Sequence, residues 1–288
     1  LGHGDGALSF EQLRAVAPSL DPGTMGIALA LAAAGYGLKV GLFPLHVWKP
    51  DAYAAAPAPV TGMLAGAAVA VPLGALLRFG VLTAAAGEAR FVSQLFVGAG
   101  LLSVMAAMIL IVRETDLRRI LAFTSVEHMG FALLACGLEP AAMRGGLLHL
   151  LANGTLKALA FGVLGFVVKE RGSADTLSGP GLFGRSYTLA GVFLLVMGAA
   201  LGFPPFGMFA SELAVLRALF AGGHLAVALL VMAALAAIFG VVATGTLRML
   251  FDRSEEPLAA PGRHGADAVL VALPVLAMMG WMGLATSS

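Results

Sequence analysis

The 288-residue sequence is short of charge, with 11% Asp, Glu, Lys and Arg where a soluble domain carries about 25%. That shortage excludes a soluble globular, coiled-coil, disordered or nucleic-acid-binding chain, each of which needs a charged surface. Its 17 basic and 16 acidic residues leave a net charge of +1, so there is no basic face for a polyanion. The one cysteine, Cys136, excludes an internal disulfide and a cysteine metal cluster. The histidines fall on separate apolar runs or in loops without ligand spacing, so no metal site is expected. Neither a Walker loop nor a GxGxxG turn after a strand occurs, and no cofactor is expected in the chain itself. What the sequence has in excess is apolar surface. Apolar residues make up 59%, with a mean hydropathy of +0.94, and a lipid bilayer is the partner that such a composition requires.

A helix crosses the hydrocarbon core with about 20 residues. Eight runs qualify, at 25–47, 58–80, 91–113, 117–137, 142–168, 187–220, 224–250 and 266–286. The expected fold is an all-α polytopic membrane protein, with residues 1–24 a polar extracytoplasmic lead-in and 25–288 the transmembrane domain. The lead-in does not read as a signal peptide, because no charged segment precedes an apolar core. Two helices should break in mid-membrane, one near Gly41-Leu42-Phe43-Pro44 and one at Pro204-Pro205, since proline cannot donate to the helix ladder. Eight spans place both termini on one side. Ten basic residues (Lys49, Arg113, Arg118, Arg119, Lys169, Arg171, Arg185, Arg248, Arg253, Arg263) fall on the other side, against five (Arg14, Arg78, Arg90, Arg144, Arg217) on the terminal side. The richer side should be cytoplasmic, with both termini out.

Ionisable groups at bilayer depth cost at least about 2.5–3.5 kcal/mol each on insertion scales, so each demands a reason. Lys39 precedes the first break. A broken helix frees carbonyls that can solvate an ammonium, although a lysine there could also snorkel to the interface. His149, Asn153 and Lys157 recur every four residues and form one polar stripe about 12 Å long, suited to carrying a proton or to bonding a neighbouring helix. Glu212 follows the Pro204-Pro205 break. Glu127 and His128 are adjacent and point about 100° apart, so one should face the polar interior and the other pack or cap. These groups outline a buried axis of Lys, His and Glu. Lysine can load and release protons where arginine cannot, which favours H⁺, while spacing alone leaves Na⁺ and K⁺ open.

The stretch Phe43–Tyr53, continued by Ala56-Pro57-Ala58-Pro59-Val60, resembles the "PLHxWLPDAxxxAPxPV" segment of the antiporter-like, proton-conducting membrane subunits. That family spans respiratory complex I, hydrogenase-4-type and formate hydrogenlyase complexes and multi-subunit cation/proton antiporters. Asp116–Gly130 resembles its "DLKRLLAYSSVSHMG", His149–Phe161 its "HLxxHxxxKALLF", and Gly202–Glu212 its "GxPPFxxFxSE". The resemblance implies a fourteen-helix fold with two inverted repeats, each holding one broken helix, of which this chain matches the last eight. It implies that Lys39 is the lysine of the first broken helix, Lys157 the lysine linking two half-channels with His149 beside it, and Glu212 the charge of the second broken helix. Other subunits of a redox or antiporter complex are the implied partners, and a bacterial or archaeal inner membrane the implied location.

Four positions depart from the family pattern: Ala70 where a lysine is usual, Asn153 for a second histidine, Glu127 for a small polar residue, and Lys49 for the leucine before Pro-Asp. The first six helices have no counterpart in the sequence, which begins without methionine, so a fragment or a shortened relative is expected. The expected function is proton translocation for a redox-driven complex such as NADH-quinone oxidoreductase or a hydrogenase-4-type complex, with a Na⁺ or K⁺/proton antiporter subunit as the alternative.

Overall fold

The computed structural model describes residues 9–251 and 264–285. Arg253 and Arg263, counted above on the basic side, the first third of the lead-in and residue 286 lie outside the described residues. Twelve helices make up the described chain: α1 (Phe10–Val16), α2 (Pro22–Val40), α3 (Lys49–Ala55), α4 (Ala58–Ala65), α5 (Ala67–Thr83), α6 (Ala89–Ile111), α7 (Leu117–Cys136), α8 (Pro140–Arg171), α9 (Tyr187–Ala200), α10 (Gly207–Ala221), α11 (Leu225–Phe251) and α12 (His264–Ala285). Among the described residues, β pairing is limited to one isolated bridge, Asp116 to Asp175. The protein is an all-α integral membrane protein.

Local chemistry sets the helix ends. Asp21 caps α2, its carboxylate accepting from Thr24 N at 2.8 Å, with Pro22 at the first helical position; there the missing N–H is no loss. Asp116 caps α7 through Arg118 N at 2.8 Å and pairs with the Arg118 guanidinium at 2.9 Å. Partial burial pushes the Asp116 pKa up, but the hydrogen bonds and charge of Arg118 outweigh it and hold the carboxyl below its ordinary value. The α5–α6 connection is a hairpin, because Gly80 lies against Phe96. Sixteen residues of straight helix would separate them by about 24 Å. The chain reverses at Gly87, whose φ of +106° suits glycine alone. The run 58–80, expected as one span, is two helices joined at Gly66. The reason is contact: a Cβ at Gly66 would sit 2.8 Å from the Gly154 carbonyl of α8.

In lipid, apolar area alone does not drive helices together, and close packing of small residues does. The α6–α7 pair shows this. A Cβ on Gly100 would lie 2.5 Å from the Gly130 carbonyl, and one on Gly130 would lie 2.6 Å from Ser103 Cβ. Helix α7 is therefore enclosed on all sides. It sends Phe123, Met129 and Phe131 into three different apolar clusters, and its polar groups are held where those clusters meet. By contrast, α2 leaves Ile27, Leu31 and Leu38 exposed along one side.

Both expected breaks occur. Helix α2 stops at Gly41 in the left-handed conformation (φ +72°), with Gly41 N and Leu42 N both donating to Gly37 O. Helix α9 gives way to Gly202 (φ +75°), and α10 resumes at Gly207.

Candidate functional site

Helices α7, α8 and α10 bring their polar residues to one place. The Lys157 ammonium, buried on α8, donates to the Leu121 carbonyl at 3.2 Å and to the Thr124 hydroxyl, both on α7. At the N-terminal end of the same stripe, His149 Nε2 lies 3.1 Å from His128 Nδ1, and His149 Nδ1 lies 3.0 Å from Ser211 Oγ on α10. Ser211 in turn donates to Met208 O at 2.7 Å.

The donor count fixes the direction of this chain. Ser211 has one proton and spends it on Met208 O, so it accepts from His149 Nδ1–H. A neutral His149 then has a bare Nε2, which accepts from His128 Nδ1–H. These tautomers are assigned from the network. They give a relay in which every donor points from α7 through α8 to α10.

Glu127 and His128 both face the polar interior. The expectation that only one would do so treated α7 as having a single inner face, whereas it is buried all round. Glu127 Oε2 approaches His128 Nδ1 at 3.0 Å without hydrogen-bonding geometry, and neither carboxyl oxygen has a hydrogen bond. An enclosed carboxyl so placed costs free energy unless a neighbouring charge or water compensates. Lys157 supplies the charge, and a cavity of about 340 Å³ lined by Glu127, His128, Thr124, Lys157 and Glu212, with Phe239 and Val242 of α11 also in its wall, supplies room for water. At roughly 30 Å³ per water, it has room for several waters. Glu212, partly accessible, rests on the bare backbone of Gly202, where a Cβ would come within 2.7 Å of Oε2. Asn153 lies buried between His149 and Lys157, with neither amide atom hydrogen-bonded.

Of the residues named from sequence, Glu127, His128, His149, Lys157 and Glu212 are brought together, and Lys39 is not. Lys39 is exposed on the outer side of α2. Gly37 and Val40 turn inward there, and Lys39 lies about 200° from the first and 100° from the second. The lysine that does enter the interior is Lys49, wholly buried, which donates to Ser125 Oγ at 3.1 Å. Its position beside Pro50-Asp51 reads as a loop, and its replacement of the family leucine was the one available signal. Ser125, Thr124 and Ser211 gave none, because a hydroxyl in a span can equally bond its own helix.

A family model described as "NADH:quinone oxidoreductase/Mrp antiporter, TM" matches residues 3–238. The hydrogenase-4 component F homolog of Methylacidiphilum infernorum (isolate V4) is 33% identical over 243 residues, covering 84% of this chain and 51% of the relative. NADH-quinone oxidoreductase subunit N of Rhodococcus opacus (strain B4) is 34% identical over 262 residues, covering 88% and 48%. A chain in the structure of the membrane-bound sulfane sulfur reductase, an archaeal respiratory membrane complex, superposes with a TM-score of 0.85 at 25% identity, over 98% of this chain and 57% of that one. The chain thus spans about half the length of the relatives it matches. It belongs to the NADH:quinone oxidoreductase/Mrp antiporter transmembrane family.

Proposed function

We propose that the chain is a proton-translocating membrane subunit, working with other membrane subunits of a redox-driven complex of the NADH-quinone oxidoreductase or hydrogenase-4 kind. The observation that carries this reading is the 340 Å³ cavity joining Glu127, His128, Lys157 and Glu212, laid against the His128–His149–Ser211 relay. Charges are kept in lipid where they line ion paths. Glu127, His128, His149, Lys157 and Glu212 can each gain or lose a proton, and none of the ionisable groups on this axis is an arginine.

In this reading Lys157 is the central relay. Its proton leaves by way of the Thr124 hydroxyl or cavity water, and the nearby Glu127 charge favours its return. His149 passes protons by exchanging them between its two ring nitrogens, and Glu212 is the terminal group at the second break. The driving force comes from the partner complex, and the chain contributes the conduit. The setting is the inner membrane of a bacterium or archaeon, with the terminal side out. Lys39 would join the path only through a surface packed on the exposed side of α2.

The test uses the assembled complex in sealed vesicles, following the pH gradient formed per electron transferred. Lys157→Ala and Glu212→Gln should each abolish most of the gradient. An unchanged gradient in both sinks the reading. A gradient that forms or collapses only with added Na⁺ or K⁺ transfers the chain to the cation/proton exchangers.

A further inference from the structure

We propose that Lys49 is a second proton-loading group, seated on the end of the first broken helix as Glu212 is seated on the end of the second; this rests on the reading above. The two breaks share a plan. Gly41 and Gly202 both have positive φ, and each is followed by proline three residues on, at Pro44 and Pro205. Each leaves a bare backbone corner that a titratable side chain from further along the chain fills. A Cβ on Gly202 would meet Glu212 Oε2 at 2.7 Å. One on Gly41 would meet Lys49 Cδ at 2.6 Å and Nζ at 3.2 Å.

The seat suits a cation that comes and goes. The Lys49 ammonium lies at the C-terminal end of α2, where the helix dipole presents partial negative charge. Among the described residues its hydrogen bonding is limited to Ser125 Oγ, so the protonated form is held by one acceptor and a dipole rather than by a carboxylate. The nearest acid in sequence, Asp51, turns outward to pair with Arg119, which also holds Glu114 at 2.8 Å. The groups that do face Lys49 are Ser125 and His128 on α7, His46 in the break and Lys157 on α8. A buried lysine with a second lysine within electrostatic reach cannot share two positive charges without cost.

Ser125 and Thr124, the hydroxyls that receive the two ammonium groups, are consecutive on α7. In the step that follows, one N–H bond of the Lys49 ammonium breaks and one N–H bond forms on a neutral Lys157 amine. The proton is relayed by those hydroxyls or a water between them, and the pair carries one positive charge before and after. Arrival of a further proton at Lys49 then favours departure of the one on Lys157 toward the Glu127–Glu212 cavity.

The experiment sets Lys49→Leu, Lys49→Arg and Lys49→His beside Lys157→Ala in the assembled complex, with H⁺ moved per electron normalised to complex present. Loading at Lys49 predicts at least about a fivefold loss in both Lys49→Leu and Lys49→Arg, since arginine keeps the charge and does not release a proton. It predicts partial recovery in Lys49→His, with the pH profile displaced toward acid. Wild-type pumping by Lys49→Arg or Lys49→Leu overturns the proposal and leaves Lys49 a packing residue. If Lys157→Ala also pumps normally, the broader reading falls with it; if Lys157→Ala alone fails to pump, only the Lys49 assignment is lost. Should the Lys49 variants not assemble, the ¹⁵N shift of the Lys49 amine in labelled wild-type complex decides. Titration between about pH 5 and 10, below the ordinary lysine range, supports loading, and an ammonium fixed throughout overturns it.

Discussion

Ser211→Ala removes one oxygen and reverses the logic of a three-helix relay. His149 is fully buried and its Nδ1 has Ser211 Oγ as partner at 3.0 Å. Without that acceptor, Nδ1–H is an orphaned buried donor, which costs about 1–3 kcal/mol. The ring can avoid the penalty by moving its proton to Nε2, but Nε2 then points a hydrogen at His128 Nδ1–H across 3.1 Å. His128 must shift its own proton in response, so one truncation on α10 changes the tautomer of two rings on α7 and α8. After the switch His149 Nδ1 is still a buried polar atom without its partner, so the variant should lose about 1–3 kcal/mol in unfolding free energy in detergent. Imidazole ¹⁵N shifts should report both histidines switched to Nε2–H, and proton transfer through the complex should slow. Ser211→Thr, which keeps an acceptor oxygen, should preserve the original tautomers. Unchanged ring shifts in Ser211→Ala, with a stability loss below about 0.5 kcal/mol, would refute the donor count on which the relay's direction rests.

Three further outcomes are expected. Gly202→Ala should destabilise by about 1–2 kcal/mol from left-handed backbone alone, plus a steric share from Glu212 Oε2. The same substitution in a Glu212→Ala background should retain only the first share, and equal losses in both backgrounds would remove the seat described for Glu212. Gly130→Val should separate α6 from α7, since any Cβ there meets Ser103 at 2.6 Å; overpacking of this kind costs about 1–3 kcal/mol, visible as reduced yield and a lower unfolding midpoint. Asp116 has a depressed folded-state pKa, so its stabilising share is full above the unfolded value of about 3.9 and disappears as pH falls through the folded one. Asp116→Asn should flatten the acid limb of a stability–pH curve, and an unaltered limb counts against the cap.

The all-α character and both breaks were legible because hydropathy, proline and glycine act within a few residues of themselves. The His149–Asn153–Lys157 stripe was legible for the same reason, being a repeat of the helix itself. Lys39 and Lys49 show where such reading ends. The break carries the chain from Gly41 through Trp48, whose indole donates to Leu38 O at 2.8 Å. That return places a residue eight positions on against the glycine while Lys39 faces away. No local pattern encodes the path of seven irregular residues. Glu127 and His128 show a second limit: how many sides of a helix are inside depends on its neighbours, and Gly100 and Gly130 became informative only once they were seen to touch.

Asn153 carries one more consequence. Its amide can both give and accept a hydrogen bond, yet it holds one protonation state across the working pH range. Set between His149 and Lys157, about 6 Å from each along the axis, it is an insulating gap between two chargeable plates, and only mobile water can bridge it. In the proposed path, water activity would therefore gate the exchange between them. Dehydrating solutes or pressure should act on this one interval before they touch either end, and the interval should behave electrically as a capacitor whose spacing is set by the roughly two turns of α8 between His149 and Lys157.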